Sequence, residues 1–386
     1  MLRIRPPGGY TKEDTRKRKE WLAERTSFKL NDAAPDEPES LKGIIENHIG
    51  YMPIPMAVAG PLRITGTYVK GEYYVPLCTL EGTLSMSMTR GFYLTHQSNG
   101  IRTQHIKQEL SRSPIFIFGD FDVREAFSKW ITGNYDQIKS VAEATTQHGK
   151  LLRIDQYPTQ NSVILDFVYY TAEAAGQNMT TFATYAACRY IRESFASGYG
   201  ADFKYFIESN FNADKNPTHR ALVHGRGHHV IASALVKGKL LRRILRCTAQ
   251  EMVEGWGQAS PGFQMAGVLG NNMHVANALA ALYLATGQDA ACVAENSIGI
   301  VSYELRNDED LLMLLTMPSI TVGTVGGGTR LKHQRANLEM LGCTGRDSSK
   351  KLAEIICASA LALELSLAGA IGNDEFAQSH ADYGRS

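Results

Sequence analysis

Two glycine-bearing stretches and a few ionisable residues are the parts of this sequence whose types could do chemistry. GTVGGGT, Gly323 to Thr329, carries Gly323, Thr324 and Gly326 just ahead of a helix expected to begin near Leu331. Consecutive glycines let a backbone approach a ligand closely, and free N–H groups at a helix start suit a phosphate or pyrophosphate. In a chain with 35 glycines the same run also reads as a simple turn, and it is neither a P-loop nor a GxGxxG fingerprint. EAAGQNM, Glu173 to Met179, sets Gly176, Gln177 and Asn178 where a strand turns into a helix. Asn178 offers both donors and acceptors to a dinucleotide, and the plain alternative is an N-cap region.

Glu81, Lys215, Asp289 and His380 are the ionisable side chains to single out. Taken one at a time each has an ordinary reading: a helix-capping glutamate, a solvated loop lysine, a cap for the helix after ATGQDAA, and a surface histidine near the C-terminus. Spacing alone cannot unite four residues spread over the whole chain. His224, His228 and His229 lie close together but have no carboxylate or cysteine at ligand spacing, so no metal site is expected.

The elements that must position these residues are legible in part. Residues 11–27 form a charged amphipathic helical arm, followed by the polar linker NDAAPDEPES; the stretch from Ile44 to Leu80 alternates short β-type runs with Pro and Gly, and Glu81 to His96 reads as helix. Between 113 and 207 the pattern is strand IFIFGDFDV, helix REAFSKWITGNYDQIKSVAEAT, strands LLRIDQY and SVILDFVYY, helix QNMTTFATYAACRYIRESFASG and strand FKYFIESNF. That order, β-α-β-β-α-β, predicts a ferredoxin-like antiparallel sheet with both helices on one face, not a Rossmann unit. Long helical stretches follow at 240–256, 272–286 and 349–371. The expected class is α+β: an arm at 1–40, a large helix-rich domain from 41–112 and 208–386, and the small unit 113–207 inserted in it.

Composition bounds the function classes. Hydrophobic residues make up 44% and charged residues 20% of the 386, ordinary for a packed globular protein. Forty Lys and Arg against 39 Asp and Glu leave no global field to attract nucleic acid or an anionic membrane. The six cysteines are scattered and read as reduced thiols in a cytoplasmic protein. The basic N-terminus has no apolar core for a signal peptide, and apolar stretches such as ANALAALYLATG fall short of the roughly 20 residues a membrane-spanning helix needs.

Read together, the segments resemble the hydroxymethylglutaryl-CoA reductases from about residue 44 to the C-terminus. ENHIGYMPIPMAVAGPL is similar to a family segment near the dimer interface, and LEGTLSMSMTRG to its glutamate loop. ADKNP is similar to its lysine loop and HVANALAALYLATGQDAA to its aspartate helix and turn. MPSITVGTVGGGTRL and LALELSLAGA with the later QSH are similar to its cofactor loop and C-terminal histidine segment. The wording is closer to the class that includes eukaryotic and many archaeal enzymes.

The resemblance implies a two-step, four-electron reduction of 3-hydroxy-3-methylglutaryl-CoA to mevalonate and CoA by NADPH, with NADH as the other candidate. It implies Lys215 as the cation beside the developing oxyanion, Glu81 as the proton-donating carboxyl, Asp289 as the carboxylate between them, and His380 as the acid that protonates the departing CoA thiolate. Arg112 matches the arginine that grips the acyl carboxylate, and Ser209, Asp214 and Asn277 match other polar contacts. Glu173, Gly176, Gln177, Asn178 and Met179, with Gly323, Thr324 and Gly326, match the cofactor loops. A homodimer or dimer of dimers is implied, with the active site between protomers.

Three departures stand out. Asn216 replaces a lysine often found after the catalytic lysine, EAAGQNM replaces the commoner DAMGMNM, and Thr146–Gln147 stand where NADP-using relatives have Ser–Arg, leaving only Lys150 and Arg153 as nearby cations. They keep two alternatives open: a same-mechanism reductase of another acyl-CoA or carrier-protein thioester, and a non-catalytic homologue that binds CoA or nucleotide as a sensor. Ser386, at the end of the chain, matches the place where some relatives carry a phosphorylated serine.

Overall fold

A computed structural model describes residue 9 and residues 11–24, 38–199 and 203–372. His380, Arg385 and Ser386 lie outside the described residues. Among these residues the strands are β1 (Met56–Thr65), β2 (Lys70–Cys78), β3 (Ile101–Arg112), β4 (Ile115–Phe118), β5 (Lys150–Thr159), β6 (Ser162–Tyr170), β7 (Phe203–Phe206), β8 (Gly227–Val236), β9 (Ile300–Arg306) and β10 (Asp310–Ile320).

The segment read as β-α-β-β-α-β folds in that order. Its strands lie β7-β4-β6-β5, every neighbour antiparallel, which is the ferredoxin-like arrangement. Phe116, Phe118, Phe127, Phe195 and Phe203 meet in one aromatic core that also takes in Ile138 and Ile191, so both helical layers cover the same face. One expectation is corrected here. The first helix is two, Phe121–Gly133 and Tyr135–Glu143, broken at Asn134; Gly133 and Asn134 are poor helix formers, and their propensity outweighs the continuous apolar spacing. Asp120 starts the first of the two by accepting from the N–H groups of Asp122 and Val123.

The other sheet carries the long antiparallel pairings β3–β8, β8–β10 and β10–β9, with the β1–β2 hairpin joined to β3. β3 belongs to both sheets: Arg102 to Glu109 pair with β8, and Leu110 to Arg112 pair with β6. Arg112 thus stands at the seam.

Helix Ser348–Gly372 is the centre of the larger core, with Leu352, Ile355, Ile356, Leu361 and Leu365 fully buried. It corrects the expectation about apolar length, because its 25 residues and mean hydropathy of 1.9 are enough to cross a membrane. Its apolar window is 78% buried within the protein, which makes it a core helix. Two buried carboxylates on it are hydrogen-bonded rather than stranded: Glu354 accepts from the N–H of Thr67 and Tyr68, Glu364 from those of Met273 and His274. Glu364 thereby fixes the chain just ahead of helix Val275–Thr286, whose first N–H donates to Asn272 Oδ1.

The helix expected at 240–256 is also redrawn. A helical turn over Gly238–Leu245 ends at Arg246 in the left-handed region, and a capping box of Thr248 and Glu251 starts a new helix, Ala249–Ala266.

Candidate active site

The two glycine-bearing stretches, 147 residues apart in sequence from Gly176 to Gly323, are brought together. Thr324 N–H donates to the Glu173 carbonyl at 2.8 Å, and Ala174 and Val325 form a parallel bridge. A β-carbon on Gly323 would strike the backbone of Ala174 and Ala175, so this approach requires glycine. Glu173 does not point its carboxylate into open space. It accepts from Asp347 N at 2.7 Å, Ser349 N at 2.8 Å and Ser348 Oγ at 3.1 Å, which caps the core helix. Thr324 and Ser348 share a hydroxyl contact of 2.5 Å. Gly176 adopts φ 92° as the chain enters helix Gln177–Tyr199, where Gln177 Nε2 donates to Cys292 Sγ at 2.8 Å and Asn178 is exposed. Met179 packs against Gly149. Gly326 and Gly327, at φ 77° and 51°, have open space where a β-carbon would be, and the short turn Gly327–Arg330 starts there.

Lys215 and Asp289 also come together. Lys215 Nζ lies 3.0 Å from Asp289 Oδ2, both side chains a little under half exposed. The other oxygen, Oδ1, accepts from Ala291 N–H at 3.0 Å, so the capping reading and the catalytic reading of Asp289 hold at once. The hydrogen bond from Asp289 raises the Lys215 pKa above the ordinary lysine value, with burial opposing. Gln288 ties this corner to the glycine-rich loop: it accepts from Gly323 N–H at 2.9 Å and donates to Gly323 O at 3.0 Å.

Arg112, Ser209 and Asp214 are each held by neighbours within the protein. Arg112 pairs with Glu208 and lies 3.6 Å from Asp214, Ser209 Oγ donates to Ser113 O at 2.6 Å, and Asp214 is 3.0 Å from the buried Arg226. Asn216 donates its amide to Asp214 O at 2.8 Å.

Glu81 is placed differently. It is exposed, on the loop before helix Leu84–His96, at the mouth of a cavity of about 570 Å³ that Asn277, Arg90, Met273 and His274 also line. Gly91 lets that helix sit directly on the core helix, since a β-carbon there would strike Ala362 O. Among the described residues no hydrogen bond or ion pair joins Glu81 to Lys215 or Asp289.

Of the cations near the expected 2′-phosphate position, Arg153 is committed to Glu109 and Asp155, whereas Lys150 is more than half exposed and only 3.5 Å from Glu143. The histidine run is split by the fold. His228 is buried and pairs with His105 at 2.9 Å, and burial holds their pKa values down to about 3 and about 4, so both are neutral near pH 7. All six cysteines are free thiols.

Gln288, which the sequence offers with Asp289 only as a cap of the next helix, instead bridges to Gly323, and sequence reasoning missed Glu208, Arg226, Glu295 and Thr321. Glu295 looks like a surface helix acid and Arg226 like a strand-edge cation; only their complete burial marks them.

An ammonium paired with a carboxylate, laced to a glycine-rich loop that is itself locked to a strand-to-helix junction, defines an enzyme site fit to stabilise an oxyanion beside a nucleotide. The chain belongs to the hydroxymethylglutaryl-coenzyme A reductase family, whose sequence profile matches residues 14–385. The 3-hydroxy-3-methylglutaryl-coenzyme A reductase of Methanocaldococcus jannaschii is 38% identical over 357 residues, covering 91% of this chain and 87% of its own. That of Aeropyrum pernix is 39% identical over 348 residues, covering 88% and 82%. A solved class II reductase from Streptococcus pneumoniae, bound to NADPH in open conformations, superimposes with a TM-score of 0.68 at 17% identity over 86% of this chain and 79% of its own. At that identity the likeness speaks for the fold alone.

Proposed function

We propose that this chain carries out the reaction its family is named for, the NADPH-dependent reduction of 3-hydroxy-3-methylglutaryl-CoA to mevalonate and CoA, two nicotinamides per product. The observation that carries this reading is the Lys215–Asp289 pair at 3.0 Å, tied through Gln288 to the glycine-rich loop. When bound, the reduced nicotinamide supplies the electrons; the open backbone at Gly326 and Gly327 suits its pyrophosphate, and Lys150, more than half exposed, would exchange its 3.5 Å contact with Glu143 for a 2′-phosphate. NADH is the less favoured cofactor.

The rest is done by side chains. Lys215 stands beside the thioester oxygen and neutralises the negative charge that develops on it. Asp289 keeps that lysine protonated and aimed. Glu81 delivers a proton to the oxygen, and His380 protonates the departing thiolate. Arg112 holds the acyl carboxylate by exchanging its contacts with Glu208 and Asp214, helped by Ser209 and Asn277.

The unit 113–207 serves the nicotinamide and the segments 41–112 and 208–386 serve the acyl-CoA, with 1–40 as an arm. A homodimer or dimer of dimers in the cytoplasm completes the picture: Glu81 stands apart from Lys215 within one chain, and a second copy is the natural source of the missing carboxyl. The engaged amide of Asn216 favours, as a second reading, a different acyl thioester handled by the same mechanism.

The experiment is an absorbance assay of nicotinamide oxidation with parallel measurement of mevalonate and free thiol. Two nicotinamides consumed per mevalonate and per CoA are expected. No turnover of this thioester by folded protein, with turnover of another acyl-CoA, would replace the first reading by the second.

A further inference from the structure

Lys215 is held at both ends by one short stretch of chain. Its Nζ meets Asp289, and its backbone N–H donates to Glu295 Oε2, six residues further along the same segment. The main chain there needs a grip. Lys215 has φ 60°, and Ala213 at 62° and Asn210 at 60° share the left-handed region, which non-glycine residues keep only where their surroundings over-determine them.

None of the chemistry described above uses Glu295, yet the residue is fully buried. A buried carboxylate persists when it is paired and hydrogen-bonded. Arg226 Nε donates to both its oxygens at 3.1 Å, and Thr321 Oγ1 donates to Oε1 at 2.8 Å. Arg226, also buried, extends the network: Nη1 donates to Ser111 O at 3.1 Å and Nη2 lies 3.0 Å from Asp214. One interior ion pair therefore connects the end of β3, the lysine loop, the Asp289 segment and, through Thr321, the chain entering the glycine-rich loop.

We infer that Glu295, with Arg226 as its counter-charge, is a positioning residue for Lys215: it fixes the left-handed backbone from which the ammonium reaches Asp289. This rests on the reading of Lys215 as the oxyanion-stabilising cation. A pair that merely filled the interior would behave differently, because well-packed apolar residues often replace buried ion pairs without loss of stability. With such a replacement the Lys215 N–H loses its acceptor, and the ammonium drifts from Asp289. The groups facing that ammonium are Asp289, Cys292 and Asp214, and the Asp289 hydrogen bond is the main reason its pKa is raised. Losing that contact brings it down.

The test compares the full-length wild type with Glu295→Gln and with the charge-balanced double variant Glu295→Leu, Arg226→Met. Competitive acetylation across pH, read by peptide mass spectrometry, gives the Lys215 titration midpoint without any need for turnover. Steady-state assays with hydroxymethylglutaryl-CoA and NADPH give kcat and KM. In the double variant the Lys215 midpoint falls below that of the wild type and kcat drops by about 30-fold, while KM for the thioester moves less than about threefold. Glu295→Gln keeps one acceptor and shows the smaller change in both. A folded double variant with the wild-type midpoint and kcat overturns the inference. If the double variant does not fold, an unchanged midpoint in Glu295→Gln overturns it equally. Should the wild type reduce no hydroxymethylglutaryl-CoA, the reaction reading fails separately and the labelling midpoint still decides this one.

Discussion

The Lys215–Asp289 corner and the Glu81 rim are both made of loop residues, and they are held in opposite ways. At the corner three bonds tie neighbouring stretches of chain: Gln288 to Gly323, Thr324 to Glu173, Lys215 to Glu295. At the rim, Glu81 is exposed and, among the described residues, its only hydrogen bond is from its own N–H to Thr79 Oγ1. A cation that must stand still while charge develops benefits from preorganisation, whereas an acid that receives and returns protons can wait for ligand or partner to enclose it. The difference separates a corner whose groups this chain ties to one another from a rim whose carboxylate makes no hydrogen bond or ion pair among the described residues.

The sharpest way to break this comparison is Lys215→Ala. Removing the preorganised cation should lower kcat by about 1000-fold, with the thermal midpoint unchanged because the side chain is nearly half exposed. A loss that appeared in the midpoint instead would make the corner structural. Glu81→Gln should cost about 100-fold in kcat, with KM and stability at wild-type values, since among the described residues its side chain makes no hydrogen bond or ion pair. An equal fall in stability would show that the rim is as tightly built as the corner.

Gly323→Ala should destabilise by about 2 kcal/mol through backbone overlap with Ala174 and Ala175, and should raise KM for the nicotinamide more than KM for the thioester. Calorimetry and the two saturation curves separate these effects. The smallest expected effect is a pH shift. The Lys215 pKa is raised, so its cationic form persists above the ordinary lysine range and is lost as pH rises through the folded value. Asp289→Asn removes the main cause, and the alkaline limb of the kcat profile should move to lower pH.

How much of this was legible in the sequence differs between the same two regions. The ferredoxin-like order could be read because each strand and helix carries its own period, and the break at Asn134 escaped because two adjacent weak helix formers interrupt an otherwise unbroken apolar spacing. The juxtaposition of EAAGQNM with GTVGGGT was foreseen only through resemblance, since glycine content reports that a backbone can approach something without saying what. Glu173 illustrates this. Its carboxylate was expected near the nucleotide, and in the fold it caps the core helix. The apolar helix Ser348–Gly372 was read by its helical period but not by its role, because length and hydropathy are the same for a core helix and a spanning one.

By itself, the sequence determined the α+β class, the order of the small unit's elements, and which residue types stand ready for chemistry, since these depend on local periodicity and side-chain identity. Resemblance put Asp289 beside Lys215, but only the tertiary structure decided that the two meet at 3.0 Å while Glu81 lines a cavity that includes neither, and that Glu295 and Arg226 lie buried beneath the lysine loop. The reason is physical: burial and charge pairing are properties of neighbours brought together from distant parts of the chain, and no local pattern records which neighbours those will be.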